Sequence, residues 1–166
     1  MNETASEPSV PGDRQPLVVG PDEGQALAMG GNRITLKVTA QQTDRFSLVD
    51  YQVAPNFSAP PALHFHERED WAAFVLEGEI TFVFDGGEVI APADSTVLIP
   101  RGTPFAWRND QDTPARYLAV HAPAGFEQFF VDVHDGIRSH EDFSPSAMAE
   151  IVPPLWTKYR IRSPRH

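Results

Sequence analysis

The sequence predicts an all-β domain, and three observations carry that expectation. Sixteen prolines and eleven glycines are spread between short apolar runs, a spacing that suits many strands joined by turns. Several of those runs alternate apolar and polar residues with a period of two. Between them fall Glu77-Gly78 and Asp85-Gly86-Gly87, tight-turn sequences in which glycine accepts positive φ without steric penalty. At 166 residues the chain is most economically one domain, long enough to bury a core of its own.

Taken in order, residues 1–16 are polar, contain Pro8, Pro11 and Pro16, and show no periodicity. They read as a flexible tail, with Leu17-Val18-Val19 the best segment for an edge strand donated to a partner subunit. Arg33 to Thr39 alternates with Ile34, Leu36 and Val38 on one face, a half-buried strand. Arg45 to Val53 begins with Phe46 and Leu48 and then shifts phase to Val49, Tyr51 and Val53, which suggests a β-bulge. Ala54 to Pro61 is a proline-bounded loop. Strands follow at Leu63–His66, Trp71–Leu76, Glu79–Asp85, Glu88–Ala91, Thr96–Ile99, Phe105–Arg108 and Arg116–His121. Trp71–Leu76 is apolar on both alternating sets, so both faces need cover. One cover is the domain interior. The other is a second sheet, the N-terminal strands or another subunit.

After Pro123 the period changes. Gly125 to Val131 places Phe126, Phe129 and Phe130 on one helical stripe. Ser144-Pro145 is an N-cap with proline at the first helical position, and Met148, Ile151 and Val152 line a short helix that Pro153-Pro154 is expected to stop. The basic end, Lys158 to Arg162, reads as solvated. These boundaries divide the chain into a tail at 1–16, a barrel at 17–123 and a helical extension at 124–166.

Composition excludes several functions. A formal net charge of −10 argues against nucleic acid and anionic membranes as partners, since both demand a basic face. The chain has no cysteine, so disulfides and thiol chemistry are excluded. Neither a signal peptide nor a run of transmembrane length is present, and a cytoplasmic location is the expectation.

His64-Phe65-His66 places two imidazoles at i and i+2 on one strand face, a chelating arrangement that also suits proton transfer near neutral pH. Gly78 follows downstream, then Ala93-Asp94, Pro100-Arg101-Gly102 and Asn109. With these two motifs the chain, from about Leu17 to Phe130, resembles the cupin family, specifically single-domain cupins similar to quercetin-dioxygenase-like proteins. The resemblance implies a double-stranded β-helix, or jelly-roll barrel, with the site inside it and short helices after it. In the family, three histidines and one carboxylate hold Fe, Mn, Ni, Cu or Zn, ligand types suited to such divalent ions.

This chain departs from the pattern at two ligand positions. Counting back six intervening residues from Gly78, the family's glutamate is Trp71, and the histidine of the second motif is Phe105. Asp70 is one residue out of register and faces the other way. Glu69 shares the parity of Trp71 but falls in the preceding turn, and His121 lies on the last barrel strand with its direction open. Three readings of His64 and His66 follow. They are an acid/base or hydrogen-bonding pair for a ligand, two ligands of a divalent transition metal completed by water, Glu69 or His121, or structural histidines. Trp71, Phe105, Trp107, Phe57, Tyr117 and His121 are the expected substrate-binding wall, with Phe82 or Val83 and Met29 adding to it. An apolar cavity with a few convergent polar groups is the usual small-molecule site.

The leading expectation is an enzyme that binds a largely apolar, aromatic or polyketide-like molecule and performs a cofactor-free cyclisation, isomerisation or proton transfer through His64 and His66. A metal-dependent quercetinase-like dioxygenase and a non-catalytic binding or sensor domain are the alternatives. A homodimer is expected from the doubly apolar strand.

Overall fold

The computed structural model describes residues 16–58, 63–141 and 143–164. In chain order the elements are β1 (Gln25–Met29), β2 (Asn32–Val38), β3 (Ser47–Val53), β4 (Phe65–His66), β5 (Asp70–Glu77), β6 (Glu79–Phe84), β7 (Gly87–Pro92), β8 (Thr96–Ile99), β9 (Phe105–Arg108), β10 (Ala115–Ala122), α1 (Glu127–His140), α2 (Pro145–Lys158) and β11 (Ile161–Arg162). All the strand pairings are antiparallel. A six-stranded sheet runs β1-β2-β3-β10-β5-β8, a three-stranded sheet runs β7-β6-β9, and β11 pairs with β4. This is the jelly-roll arrangement, with the inner faces of the sheets forming one core.

Period-two alternation decides which side chains enter that core. From the large sheet come Val49, Tyr51, Val53, Trp71, Ala73, Val75, Tyr117 and Ala119; from the small sheet come Ile80, Phe82, Phe105 and Trp107. The chain changes sheet between β5 and β6 at Gly78. Its φ of 72° lies in the left-handed region that glycine enters without cost. Asp85-Gly86 forms the two-residue turn of the β6–β7 hairpin, in which Phe84 faces Gly87.

Several expectations change. Strand β1 was not foreseen, because Gln25 to Met29 is short and mixes glutamine with alanine; its pairing with β2 supplies what propensity does not. The expected bulge in β3 is absent. Ser47, Val49, Tyr51 and Val53 keep a single phase, and the register slips instead on β2, between Leu36 and Val38. Phe46 and Leu48 belong to the outer face, which explains the false shift of phase. Leu17 to Val19 is irregular chain, not a strand, and residues 1–15 of the expected tail lie outside the described residues.

Pro153 and Pro154 do not stop α2, which continues to Lys158. The fixed φ of proline is compatible with a helix. Beyond the prolines, Tyr159 N–H donates to Leu155 O at 2.9 Å, and Tyr159 Oη donates to Asp132 Oδ2 of α1 at 2.6 Å. The N-terminus of α2 is as expected, with Ser144 Oγ accepting from Ala147 N–H at 3.2 Å. Where α1 and α2 cross, a Cβ on Gly136 would lie 2.7 Å from Ile151 Cγ2, so the absent side chain permits the close approach.

The basic end is not a solvated tail either. Ile161 is buried and pairs with His66, and Arg162 pairs with Phe65. Lys158 is engaged with Asp132 at 2.6 Å and Arg162 with Glu67 at 3.2 Å. The chain therefore ends its described course by clamping the histidine strand. Among the described residues no helix is long and apolar enough to cross a membrane.

Candidate functional site

The site begins with two backbone hydrogen bonds. His64 N–H donates to Phe105 O at 3.0 Å, and Phe105 N–H donates to His64 O at 2.8 Å. This reciprocal pair fixes the first motif against the second. Two residues on, Gly102 N–H donates to His66 O at 2.8 Å, and β11 holds the other edge of the same short strand. Alternation then turns His64 and His66 to one side. Both line a small cavity of about 100 Å³, with Trp71, Phe105, Trp107, Tyr117 and His121 among its walls.

Aromatic stacking organises that chamber. Phe105 lies 5.0 Å from Trp71 at 25°, and Trp71 lies 6.2 Å from His121 at 20°, giving a nearly parallel column. His64 packs 4.8 Å from Phe105 and 5.5 Å from Trp156. His66 packs 4.3 Å from Phe126. Tyr51 and Tyr117 stack at 5.1 Å and 7°. Burial pushes both phenols above their ordinary pKa, so each stays protonated at neutral pH.

Three buried polar atoms in this corner lack a hydrogen-bond partner: His66 Nδ1, Glu69 Oε2 and Trp71 Nε1. Glu69 Oε2 lies 3.7 Å from His66 Nδ1, beyond hydrogen-bond length but within ion-pair reach. Glu69 does sit in the turn before β5, yet its side chain is only 2 % exposed. Asp70 faces away from the chamber as its parity requires. It pairs with Arg101 at 2.9 Å, and the hydrogen bonds from Arg101 hold its pKa down.

His121 points inward and is buried, with Nδ1 3.5 Å from Ser47 Oγ. Burial, with the nearby His66 adding to it, holds its pKa well below the ordinary 6.5. Neutral imidazole is therefore its form in the fold at neutral pH.

Phe57 does not line this chamber. It packs against Trp107 at 5.7 Å and faces an outer groove along α2. Met29 lines a separate small cavity, and Phe82 backs Trp71 at 5.8 Å. The structure adds Tyr51, Phe126, Phe129, Phe130 and Trp156 to the wall. Tyr51 was legible from its inward parity with Val49 and Val53. The α1 aromatics were legible as a stripe but not as a lid, because nothing local says what a helix covers. Glu127 fixes that lid: Oε1 accepts from Ala40 N–H and Oε2 from Gly125 N–H, both at 2.7 Å.

The residues present do not fit the metal centre of the resembled family. Two of its ligand positions are filled by the stacked rings of Trp71 and Phe105. Among the described residues no three histidine, cysteine or acidic side chains come together as a set that could hold an ion.

Comparison with known proteins bears on the same segment. Residues 49–121 match the family model described as Cupin domain. No curated protein sequence matches the chain. Among solved structures, the polyketide cyclase RemF from Streptomyces resistomycificus is similar at 25% identity and a TM-score of 0.56, over 65% of this chain and 80% of that one. KdgF from Halomonas sp. superposes at a TM-score of 0.60 and 13% identity, over 69% of this chain and 99% of that one. Pac13, a nucleoside dehydratase from Streptomyces, does so at 0.54 and 18%, over 69% and 88%. At such identities the last two speak for the fold alone.

Two outcomes are expected. In the double variant Trp71→Glu, Phe105→His, the new carboxylate and imidazole should join His64 and His66. Titration calorimetry should then show Ni(II) or Zn(II) binding with proton release, absent when His64→Ala is added. A folded double variant with no gain in affinity would refute the placement of Trp71 and Phe105 at the ligand positions.

The second concerns acid stability. A folded-state pKa for His121 below its unfolded value means the unfolded chain binds more protons as pH falls through 6.5. Stability linked to His121 is thus complete above that pH and declines below it. Urea midpoints measured at pH 8 and pH 5 should differ less in His121→Gln than in wild type; equal differences would refute the linkage.

Proposed function

The chain carries a cupin domain over residues 49–121, and from that premise we propose that it is a cytoplasmic enzyme whose histidine pair moves a proton on a largely apolar, aromatic or polyketide-like ketone. One observation carries the reading. His64 and His66 face a single aromatic-walled chamber, while the places where a metal would be ligated are occupied by Trp71 and Phe105. The similarity to a polyketide cyclase supports the substrate class. Cyclisation and isomerisation of such molecules share a first step, removal of a proton α to a carbonyl.

In this reading His66 is the base. Glu69, behind it at 3.7 Å, orients the ring, keeps the proton on Nδ1 and leaves the lone pair on Nε2. Such contacts commonly tighten when a ligand enters. Trp71 Nε1–H, buried without a partner, donates to the developing enolate oxygen, the charge that a fixed dipole in a dry site stabilises most. The proton taken by His66 passes back to the product through His64, on the same face, so that the pair ends as it began. The aromatic walls exclude water and position the apolar body.

Hydrogen–deuterium exchange at the benzylic carbon of phenylacetone, followed by NMR in D2O, tests this. Exchange above buffer rate is expected, falling by about 10²–10⁴-fold in His66→Gln and His64→Gln and partially in Glu69→Gln. Binding without exchange would replace the enzyme with a non-catalytic binding domain. Exchange indifferent to both histidines would refute their assignment.

We also propose a homodimer, formed through the outer face of the large sheet. Phe46, Phe74 and Leu98 are exposed there at 41%, 39% and 67%, and Leu118 lies opposite Phe74. For a chain of net charge −10, self-association favours a patch without uncompensated charge. Here Arg116 is paired with Asp50 at 2.7 Å and Glu77 at 3.5 Å. A twofold contact of this face with itself would bury the apolar set. Light scattering should give twice the chain mass, and Leu98→Lys should give the monomer; a wild-type monomer at micromolar concentration would refute the dimer.

A further inference from the structure

Helix α2 carries two apolar stripes, one buried and one half-buried. Ala147 and Ile151 are buried, Ile151 against the Gly136 position of α1. The second stripe is Met148, Val152 and Trp156, flanked by Ala149 and Pro153. It lines an open groove of about 730 Å³, mostly apolar, whose far side includes Phe57 and Ile161. A half-buried apolar stripe along an open groove suits an apolar occupant.

The groove adjoins the histidine chamber. Trp156 and Ile161 line both spaces, and the Trp156 ring rests 5.5 Å from His64. The chamber alone, about 100 Å³, is smaller than the roughly 300–1,000 Å³ of ordinary ligand sites. It has room for the reacting end of a molecule and little more. The groove has room for a body of several rings; its α2 wall offers no charged group, and the Arg162 that also lines it is paired with Glu67.

We infer that the ligand is an elongated, multi-ring apolar molecule. Its carbonyl-bearing end enters the chamber past Trp156 and Ile161, and its uncharged ring body lies in the groove against Met148, Ala149 and Val152. The inference rests on the proton-transfer reading of the chamber and adds the ligand's length, its apolar tail and the residues that select for both. Trp156 and Ala149 then act as specificity determinants rather than catalytic residues.

The test compares phenylacetone, which the chamber must accommodate, with its longer 4-phenyl derivative, which needs the groove. Burying one more ring should tighten binding of the longer ketone by about tenfold or more in calorimetry. Ala149 is exposed on α2, so Ala149→Trp should fold and fill the groove. It should abolish the advantage of the longer ketone, so that the ratio of the two affinities falls to about one. Equal binding of the two ketones by wild type, or an advantage that survives Ala149→Trp, would overturn the inference while leaving phenylacetone exchange, and so the proposed function, intact. Conversely, a groove-dependent advantage with no exchange on either ketone would overturn the enzyme reading and leave the groove assignment standing. A change of oligomeric state in Ala149→Trp, with no change for either ketone, would assign the groove to a second copy and overturn the inference.

Discussion

The reciprocal hydrogen bonds between His64 and Phe105 are the constraint on which the site depends. Strand β4 is two residues long, far too short to be stable by itself. It holds its place only because β9 binds one edge at His64, the Gly102 amide takes the carbonyl of His66, and β11 closes the other edge. Once β4 is fixed, period-two alternation leaves no choice about direction. Both imidazoles enter the chamber, and Phe65 turns away. The same bonds set the Phe105 ring 4.8 Å from His64, so the filling of the former ligand space and the presentation of the histidines are one structural event.

That filling alters the electrostatics of the barrel. A cupin metal would bring a concentrated positive charge to this point. In this chain the charge is replaced by three nearly parallel rings, Phe105, Trp71 and His121. The result is an aromatic-walled enclosure in which burial disfavours charged forms. His121 shows the effect: with no compensating partner, burial drives it to the neutral form. His66 differs by having a carboxylate behind it. The two histidines thus have different surroundings, a carboxylate 3.7 Å from His66 and a hydroxyl 3.5 Å from His121.

Legibility in the sequence followed the range of the interaction. Alternation and turn chemistry are local, so the strands from Glu79 to Arg108, the turn at Asp85-Gly86 and the inward parity of Trp71, Phe105 and Trp107 were readable. So was the outward turn of Asp70, because a shift of one residue on a strand admits only one outcome. What escaped was decided at long range. Propensity does not show that Ile161 returns to pair with His66, that Pro153-Pro154 are carried within α2 by packing on α1, or that Trp156 closes a chamber built by strands ninety residues earlier in the chain. Phe57 was misplaced for the same reason. Its aromatic character was right for a ligand wall, but the loop carries it to the far side of Trp107.

On the proton-transfer reading, the buried polar atoms beside the chamber are where a ligand would make its hydrogen bonds. His66 Nδ1, Glu69 Oε2 and Trp71 Nε1 are buried with no partner, and each such group costs about 1–3 kcal/mol relative to a satisfied one. Apolar residues of similar volume would remove that cost and leave the stacked column intact. Buried polar groups left unsatisfied together, beside a cavity that Trp156 helps to wall, are where local rules of stability commonly give way to chemistry. A ketone oxygen entering the chamber would accept from Trp71 Nε1–H. A closer approach of Glu69 to His66 in the liganded state would satisfy the other two. The binding energy of the apolar body, gained along α2, then completes at the reacting end a hydrogen-bond set that the empty fold leaves open.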